Sequence, residues 1–276
     1  MKALLMTVLL ASMHVAFAQD VSPILRGQVL LDRAHYSVGE IDGVMGSTTE
    51  SALKLFQQAK SIEVTGVFDN LTMQGLEDSN SILTTHTLTH DDLRGPFGGK
   101  AQFRDVDEKL GEVFQISPAL LHKLNPSAKF AVGEALIVPA IGGPLPPNSI
   151  SKIVVTRSEK SIKVFSADGT QLAYYPTTMG ADETVPYGER QIISTVKNPS
   201  YRHITNGKLV QYPPGPNSPV GDIWMQLSAP HYGMHGSPMP DFIAKQQSLG
   251  CIRLTNWDAR EVAASIAKNV TVTIQR

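Results

Sequence analysis

The sequence predicts a multidomain α+β protein, in which a small three-helix domain and a mixed helix–strand segment precede a β-rich domain. Apolar residues recur at helical spacing between residues 21 and 80, and the chain from residue 149 to 276 alternates apolar and polar residues as strands do. A short glycine- and proline-rich linker, 142–147, precedes this β-rich part. The predicted segments are therefore 21–80, 104–140 and 149–276.

The N-terminus has the features of a secretory signal peptide over residues 1–18. Lys2 precedes an apolar run that closes with Ala16-Phe17-Ala18, small residues that suit a cleavage site before Gln19. We therefore expect secretion to the periplasm or cell wall, with no membrane anchor after cleavage. The formal net charge of the whole chain is −1, so nucleic acid is a poor candidate partner.

The first segment, 21–80, contains three helical patterns. Val29 belongs to the apolar face of the first helix, a capping-box pattern at 47–50 predicts the start of the second, and a turn at 65–69 precedes the third. Residues 29–76 contain the motifs Gly39-Glu40-Ile41-Asp42-Gly43, Ala52-Leu53-Lys54-Leu55-Phe56-Gln57 and Val64-Thr65-Gly66-Val67-Phe68-Asp69. With these motifs, the segment resembles the peptidoglycan-binding domain 1 family of helical wall-targeting modules.

The second segment, 104–140, combines two short helices and one strand. Apolar residues from Val106 to Phe114 fit one helix, and Ser117-Pro118 supplies a cap and a first-turn proline for the next. A turn at Gly133 leads into a strand that ends at Pro139. The segment resembles a degenerate LysM module, a glycan-binding fold, although no first strand is evident. A packing subdomain without a ligand is the alternative.

The third segment, 149–276, is mostly β-structure with one helix near its end. Thr255 and Asp258 form a cap pattern at the start of that helix. The predicted strands are 152–156, 161–165, 171–175, 191–195, 223–227 and 270–274, and the predicted helix is 255–267.

The chain contains one cysteine, Cys251, which cannot form an internal disulfide. Such a thiol is either a buried apolar group or a reactive one. Gly250 leaves the backbone before it open, and backbone N–H groups there could stabilise an oxyanion. His235 lies 16 residues earlier between Gly233 and Gly236, and it is the candidate base for the thiol.

The motifs Met234-His235-Gly236 and Ser248-Leu249-Gly250-Cys251-Ile252-Arg253 resemble those of the L,D-transpeptidase catalytic domain, the YkuD family. The resemblance covers residues 149–276. It implies that Cys251 attacks the bond between the third and fourth residues of a peptidoglycan stem peptide and releases D-alanine. A side-chain amine, usually of meso-diaminopimelate, then takes over the acyl group and forms a 3→3 cross-link. The implied partners are stem peptides and glycan strands, with wall-linked proteins as further acceptors.

The resemblance also implies roles for the residues around the thiol. His235 transfers protons, the Gly236 carbonyl orients His235, and the Gly250 backbone serves the oxyanion. The expected substrate contacts are Arg253, Ser248, Tyr232 and His231, and for Ser248 a role in shaping the turn is an equal alternative.

No cofactor or metal is expected. His231 and His235 have the spacing of a helical zinc site, but neighbouring glycines and Pro230 argue against a helix. The alternatives to transpeptidation are an L,D-carboxypeptidase, an enzyme that attaches or releases wall-linked proteins, and a catalytically inert peptidoglycan-binding protein.

Overall fold

The computed structural model describes residues 21–246, 248 and 250–276, so the predicted signal peptide lies outside the described residues. The helices are α1 (Pro23–Arg33), α2 (Ser47–Ala59), α3 (Asn70–Leu76), α4 (His90–Leu93), α5 (Val106–Phe114), α6 (Pro118–Leu124) and α7 (Asn256–Ser265). The strands are β1 (Leu83–Thr87), β2 (Ala135–Pro139), β3 (Ile150–Thr156), β4 (Ser161–Phe165), β5 (Gln171–Pro176), β6 (Gly188–Lys197), β7 (Tyr201–Thr205), β8 (Lys208–Tyr212), β9 (Ile223–Leu227), β10 (Gly233–His235), β11 (Ile252–Arg253) and β12 (Ile266–Gln275). Within these residues, no helix combines the length and the apolar character that crossing a membrane requires.

Two helices begin as their cap residues predict. The Ser117 hydroxyl accepts a hydrogen bond from the Leu120 N–H at 3.1 Å, and α6 begins at Pro118. The Thr255 hydroxyl accepts from the Asp258 N–H, also at 3.1 Å, and fixes the start of α7. In both cases a side-chain oxygen satisfies an N–H group that has no partner inside the helix.

The predicted capping box at 47–50 is wrong. The N-cap of α2 is Gly46, which has no side chain, so the helix start has no side-chain capping hydrogen bond. Ser47 is already the first helical residue, so its hydroxyl is not in the capping position. Glu50 instead forms an ion pair with Lys54, one turn later in the helix, at 2.6 Å.

The strand β1 precedes the predicted second segment, 104–140, and no sequence pattern predicts it. β1 pairs antiparallel with β2, with Leu83 opposite Pro139 and His86 opposite Leu136. Three helices lie between the two strands in sequence: the single-turn helix α4, then α5 and α6. This unit therefore starts well before residue 104. Leu83 is the one fully buried residue of β1, so the strand has no apolar alternation that would reveal it.

The third segment is built on an eight-stranded sheet with the order β11-β10-β9-β6-β12-β3-β4-β5. The pairs β10–β11 and β12–β3 are parallel, and the other neighbours are antiparallel. A separate hairpin, β7–β8, follows β6. This arrangement confirms the predicted β-rich domain with one substantial helix, α7.

Two hydrophobic cores stabilise the chain. One lies between the sheet and α7 and contains residues such as Met234, Ile252 and Val262. The other joins the three-helix segment to the segment from β1 to β2, and it includes Tyr174 of β5. Because this core contains residues of both segments that precede the sheet, residues 21–140 form one continuous packed body. We call residues 21–140 the accessory body.

The accessory body attaches to the sheet at the edge strand β5. Tyr36 pairs with Tyr174 in parallel register. The Ser37 N–H donates to the Tyr174 carbonyl at 3.0 Å, and the Tyr174 N–H donates to the His35 carbonyl at 2.8 Å. These bonds cover backbone groups that an edge strand would otherwise leave open.

Candidate active site

The site lies at the β11 end of the sheet, where three strands place the candidate residues side by side. His235 on β10 lies opposite Trp224 on β9 and opposite Arg253 on β11. Met234 and Ile252 also face each other, and both are fully buried in the core. Side chains alternate along a strand, so Cys251, one residue before Ile252, lies on the same face as His235.

A cavity of about 700 Å³ opens on the face that carries His235 and Cys251. Six of the eight residues predicted from the sequence contribute to its wall: His231, Tyr232, His235, Gly250, Cys251 and Arg253. The other two lie behind this wall. Gly236 follows His235 and contacts its ring through the backbone, and Ser248 lies within the turn that precedes the thiol.

The positions on either side of the Met234-His235 pair, Gly233 and Gly236, have no room for a side chain because neighbouring groups occupy that space. A Cβ on Gly233 would lie 2.6 Å from the Trp224 ring. That ring stacks on His235, with 5.5 Å between the centroids and 21° between the planes. A Cβ on Gly236 would lie 2.2 Å from Asn256 Oδ1. The glycines on either side of His235 therefore allow Trp224 and Asn256 to pack against its strand.

His235 is held in one tautomer. Its Nδ1 lies 2.7 Å from the Gly236 carbonyl oxygen, which can only accept, so Nδ1 carries the proton and donates. Burial lowers the pKa of His235 to about 4; the Gly236 hydrogen bond opposes this effect, and the positive charge of Arg253 adds to it. The ring is therefore neutral at pH 7, with a free lone pair on Nε2 that can accept a proton.

Cys251 is a neutral thiol in this arrangement. Burial raises its pKa above the ordinary value, while the Gly233 N–H, the positive charge of Arg253 and its own N–H act in the opposite direction. Sγ lies 3.9 Å from the His231 carbonyl oxygen, a weak hydrogen-bond contact. The thiol therefore needs a base before it becomes a good nucleophile.

The turn before Cys251 is fixed by Ser248. Its hydroxyl donates to the Cys251 carbonyl at 2.7 Å and accepts from the Gly250 N–H at 3.2 Å. Ser248 therefore shapes the turn, which is the alternative to the expected substrate contact. Because the Gly250 N–H already has a partner, the amides that face the thiol are those of Gly233 and Cys251 itself.

Arg253 is fixed through its backbone, which leaves its side chain for the cavity. Its N–H donates to the Thr178 carbonyl at 2.8 Å, and its carbonyl accepts from the Thr178 N–H at 3.0 Å. The guanidinium Nε is buried without a hydrogen-bond partner among the described residues, and none of the ion pairs in this part of the chain involves Arg253. A surface salt bridge therefore does not explain this residue.

Two further predicted residues lie beside the thiol. Tyr232 is buried, and within the described residues its hydroxyl has no hydrogen-bond partner. Burial and the nearby Cys251 raise the pKa of Tyr232, so the phenol keeps its proton and can donate a hydrogen bond to a ligand.

His231 is exposed and adopts a left-handed backbone with φ of 58°. His235 lies on a strand and not on a helix. Within residues 21–246, 248 and 250–276, no cluster of His, Cys, Asp or Glu has the form of a metal site.

Several residues of the cavity wall are not among the sequence-based candidates. Trp224 and Gln226 alternate on β9, and Tyr201 begins the β7–β8 hairpin. The hairpin has a recognisable signal, because Asn206 and Gly207 both have positive φ and Asn-Gly favours a tight turn. For Trp224, the strand pattern is visible in the sequence, but its packing on His235 depends on strand register.

Comparisons with known proteins agree with this geometry. The family model for the "L,D-transpeptidase catalytic domain" matches residues 151–274, and the model for a "Putative peptidoglycan binding domain" matches residues 22–76. "Putative L,D-transpeptidase YkuD" of Bacillus subtilis is 32% identical over 175 residues, which cover 62% of this chain and 94% of that protein. A protein of the same description in Bacillus licheniformis is 28% identical over 172 residues, 60% of this chain and 92% of that one.

Among solved structures, L,D-transpeptidase 3 from Mycobacterium tuberculosis aligns with a TM-score of 0.39 at 16% identity, over 52% of this chain and 66% of that chain. This structural similarity is low, whereas the sequence match spans nearly the whole of the Bacillus subtilis relative, and the catalytic-domain model matches the segment that contains Cys251 and His235. The chain belongs to the L,D-transpeptidase (YkuD) family and has a peptidoglycan-binding domain before its catalytic domain.

Proposed function

We propose that this protein is a cysteine L,D-transpeptidase that acts on peptidoglycan in the periplasm or cell wall, with Cys251 as nucleophile and His235 as base. One observation carries the proposal: a neutral histidine, with its Nδ1 proton committed to the Gly236 carbonyl, shares a cavity with the single thiol of the chain. This arrangement leaves Nε2 as the proton acceptor.

In the first half-reaction, Sγ of Cys251 attacks the carbonyl carbon between the third and fourth stem residues, and its proton passes to His235 Nε2. The amides of Cys251 and Gly233 face the thiol, and we assign them to the developing oxyanion in place of Gly250. The tetrahedral intermediate collapses as the bond to nitrogen breaks. His235 returns the proton to the leaving D-alanine, and a thioester remains on Cys251.

In the second half-reaction, an amine attacks the thioester carbonyl, an amide bond forms, and the bond to Sγ breaks. The proton that the amine loses passes through His235 to the released thiolate. Meso-diaminopimelate on another stem would give a 3→3 cross-link. Arg253 offers a fixed fork of donors, and we assign it to a carboxylate of the stem peptide. Its charge also favours the thiolate over the thiol.

The accessory body would hold the enzyme at the wall. We propose that 22–76 binds glycan strands, and that the unit from Leu83 to Ala140, in which α5 and α6 follow the single-turn helix α4 between β1 and β2, is a LysM-like module. The family match at 22–76 supports the first assignment, and the order of elements supports the second. Its first strand moves the proposed start of this unit from residue 104 to residue 83.

The test is mass spectrometry of muropeptides after incubation of tetrapeptide-containing peptidoglycan with the mature protein and with Cys251→Ala. We expect 3→3 cross-linked dimers with the wild type and none with the variant, since the variant lacks the atom that carries the acyl group. Loss of D-alanine without dimers would assign the protein to the L,D-carboxypeptidases. Unchanged muropeptides with both proteins would refute a tetrapeptide acyl donor.

A further inference from the structure

A buried glutamate of the accessory body reaches into the catalytic domain. Glu112 on α5 is 6% exposed. Its Oε1 accepts a hydrogen bond from Asn256 Nδ2 at 2.5 Å, and its Oε2 accepts from Arg260 Nη2 at 3.2 Å. Arg260 is itself half-exposed and also pairs with Asp222 at 2.8 Å, so the fully buried contact of Glu112 is the one with Asn256.

Asn256 lies directly behind the strand that carries His235. Its side chain is fully buried, and its Nδ2 also donates to the Pro216 carbonyl at 3.1 Å. The space that a Cβ on Gly236 would need is taken by Asn256 Oδ1, at 2.2 Å. The amide group is thus fixed through Nδ2 on one side and packed against Gly236 on the other.

Gly236 in turn determines the orientation of His235. Its carbonyl accepts the Nδ1 proton at 2.7 Å, and its N–H donates to the Ile223 carbonyl at 3.1 Å. Contacts therefore run without interruption from Glu112 through Asn256 and Gly236 to the imidazole. Removal of the Glu112 acceptor would leave a buried N–H of Asn256 with one partner fewer and would favour rotation of the amide against Gly236.

We propose that Glu112 is a positioning residue through which the accessory body fixes His235 in its productive orientation. The proposal rests on the proposed role of His235 as the base for Cys251. Glu112 touches neither the thiol nor the cavity around it; it acts through Asn256 and the Gly236 carbonyl. The accessory body would then affect the rate of chemistry as well as attachment to the wall.

The test is a double-mutant cycle on the full mature chain, with the rate of Cys251 alkylation by iodoacetamide at pH 7 as readout. We expect Glu112→Ala to lower this rate about 5- to 10-fold, an effect on the order of 1 kcal/mol. Glu112→Gln keeps an acceptor for Asn256 and should restore most of the rate. In a His235→Gln background, Glu112→Ala should have no further effect, because the group through which it acts is gone.

Glu108→Ala is the matched control. Glu108 lies one turn earlier on α5 and also crosses to the catalytic domain, where its Oε2 accepts from Asn217 Nδ2 at 2.9 Å. It makes no hydrogen bond to Asn256 or Gly236 and reaches Asn256 only through the chain at Pro216 and Asn217, so its loss should change the alkylation rate less than twofold. If Glu112→Ala does not fold, Glu112→Asp keeps the charge but draws the carboxylate back from Asn256, and it should show the same loss.

Equal losses with Glu108→Ala and Glu112→Ala would overturn the proposal, as would independent effects of Glu112→Ala and His235→Gln. The readout separates this inference from the proposed function. If the effects of Glu112→Ala and His235→Gln on alkylation are coupled but the protein forms no cross-links, transpeptidation is refuted and the positioning role of Glu112 stands. Cross-linking by a protein whose two mutations act independently would refute the positioning role alone.

Discussion

The catalytic cavity and the junction with the accessory body both bury polar groups, but they satisfy them differently. In the cavity, the Tyr232 hydroxyl and the Arg253 Nε have no hydrogen-bond partner among the described residues. At the junction, buried carboxyl groups accept hydrogen bonds from the opposite side: Glu112 from Asn256, and Asp258 from the Ser37 hydroxyl at 3.2 Å. The two buried carboxyl groups thus join the bodies through hydrogen bonds, although Asn256 Oδ1 at the junction also has no partner. The unpartnered groups of the cavity are donors that are available to a substrate.

The two regions also respond to pH in opposite directions. Burial lowers the pKa of His235 to about 4, so its contribution to stability is lost as pH falls from about 6.5 through 4. Burial raises the pKa of Glu112 to about 7 and that of Asp32 to about 6. Their contributions are present below the ordinary carboxyl pKa and are lost as pH rises through these raised values.

The largest expected effect comes from the cavity. We expect His235→Gln to lower transpeptidation by about 10²- to 10⁴-fold, the usual contribution of a general base, with little change in unfolding midpoint at pH 7. Steady-state rates and urea unfolding at that pH measure the two quantities. His122→Gln, an exposed histidine of the accessory body, serves as control and should retain activity. Retention of activity by His235→Gln would assign the base to another residue.

The contact between the two regions is tested by a pair of glycines. Gly236→Ala places a Cβ 2.2 Å from Asn256 Oδ1, whereas a Cβ on Gly250 meets no atom within 4 Å. We expect Gly236→Ala to lower the free energy of unfolding by about 1–3 kcal/mol, which is the usual cost of overpacking a buried site. The variant should also have reduced activity. Gly250→Ala should change stability by less than about 0.5 kcal/mol. Equal stability losses would mean that the packing around Gly236 yields to a methyl group.

The packing of the accessory body against the linker 142–147 is tested by Asp32→Asn. Asp32 accepts the Gly142 N–H at 2.8 Å, a bond that an asparagine oxygen can also accept. The wild type should lose on the order of 2 kcal/mol as pH rises from about 4 to 6, because the folded protein resists ionisation of Asp32. The variant should lack this loss in urea unfolding at a series of pH values. An unchanged pH dependence would show that Asp32 ionises freely in the folded protein.

The smallest effect is expected at Tyr232. Its hydroxyl has no partner among the described residues, so Tyr232→Phe should leave the free energy of unfolding within about 0.5 kcal/mol of the wild type. If the hydroxyl binds substrate, KM should rise about 2- to 10-fold, the value of one neutral hydrogen bond. Steady-state kinetics and urea unfolding separate the two. A clear loss of stability would reveal a structural partner for this hydroxyl.

Local signals in the sequence account for much of the fold. The caps at Ser117 and Thr255 predict the starts of α6 and α7, because a capping hydrogen bond spans three residues. The Asn206-Gly207 turn is equally local and could have predicted the β7–β8 hairpin. The same kind of local signal gives a wrong prediction for α2, because this helix begins one residue earlier than the capping-box pattern indicates.

Long-range pairing limits what the sequence predicts. β11 has two residues and β10 has three, too few for any periodic pattern, and both exist because neighbouring strands provide their hydrogen bonds. β1 is mostly polar, and it becomes a strand because β2, about fifty residues later, pairs with it. The partner lies too far along the chain for a local pattern to reveal it.

Residue type and short spacing are enough to identify the candidate reacting groups: one cysteine after a glycine, one histidine between glycines, and the motifs that identify the family. A sequence records such features directly. The chemical state and the contacts of each group follow from the folded structure. Four features depend on burial and strand register: the neutral state of His235, the unpartnered Nε of Arg253, the occupied Gly250 N–H and the hydrogen bond from Asn256 to Glu112. Burial and register arise from contacts between residues far apart in the chain, and no local pattern specifies them.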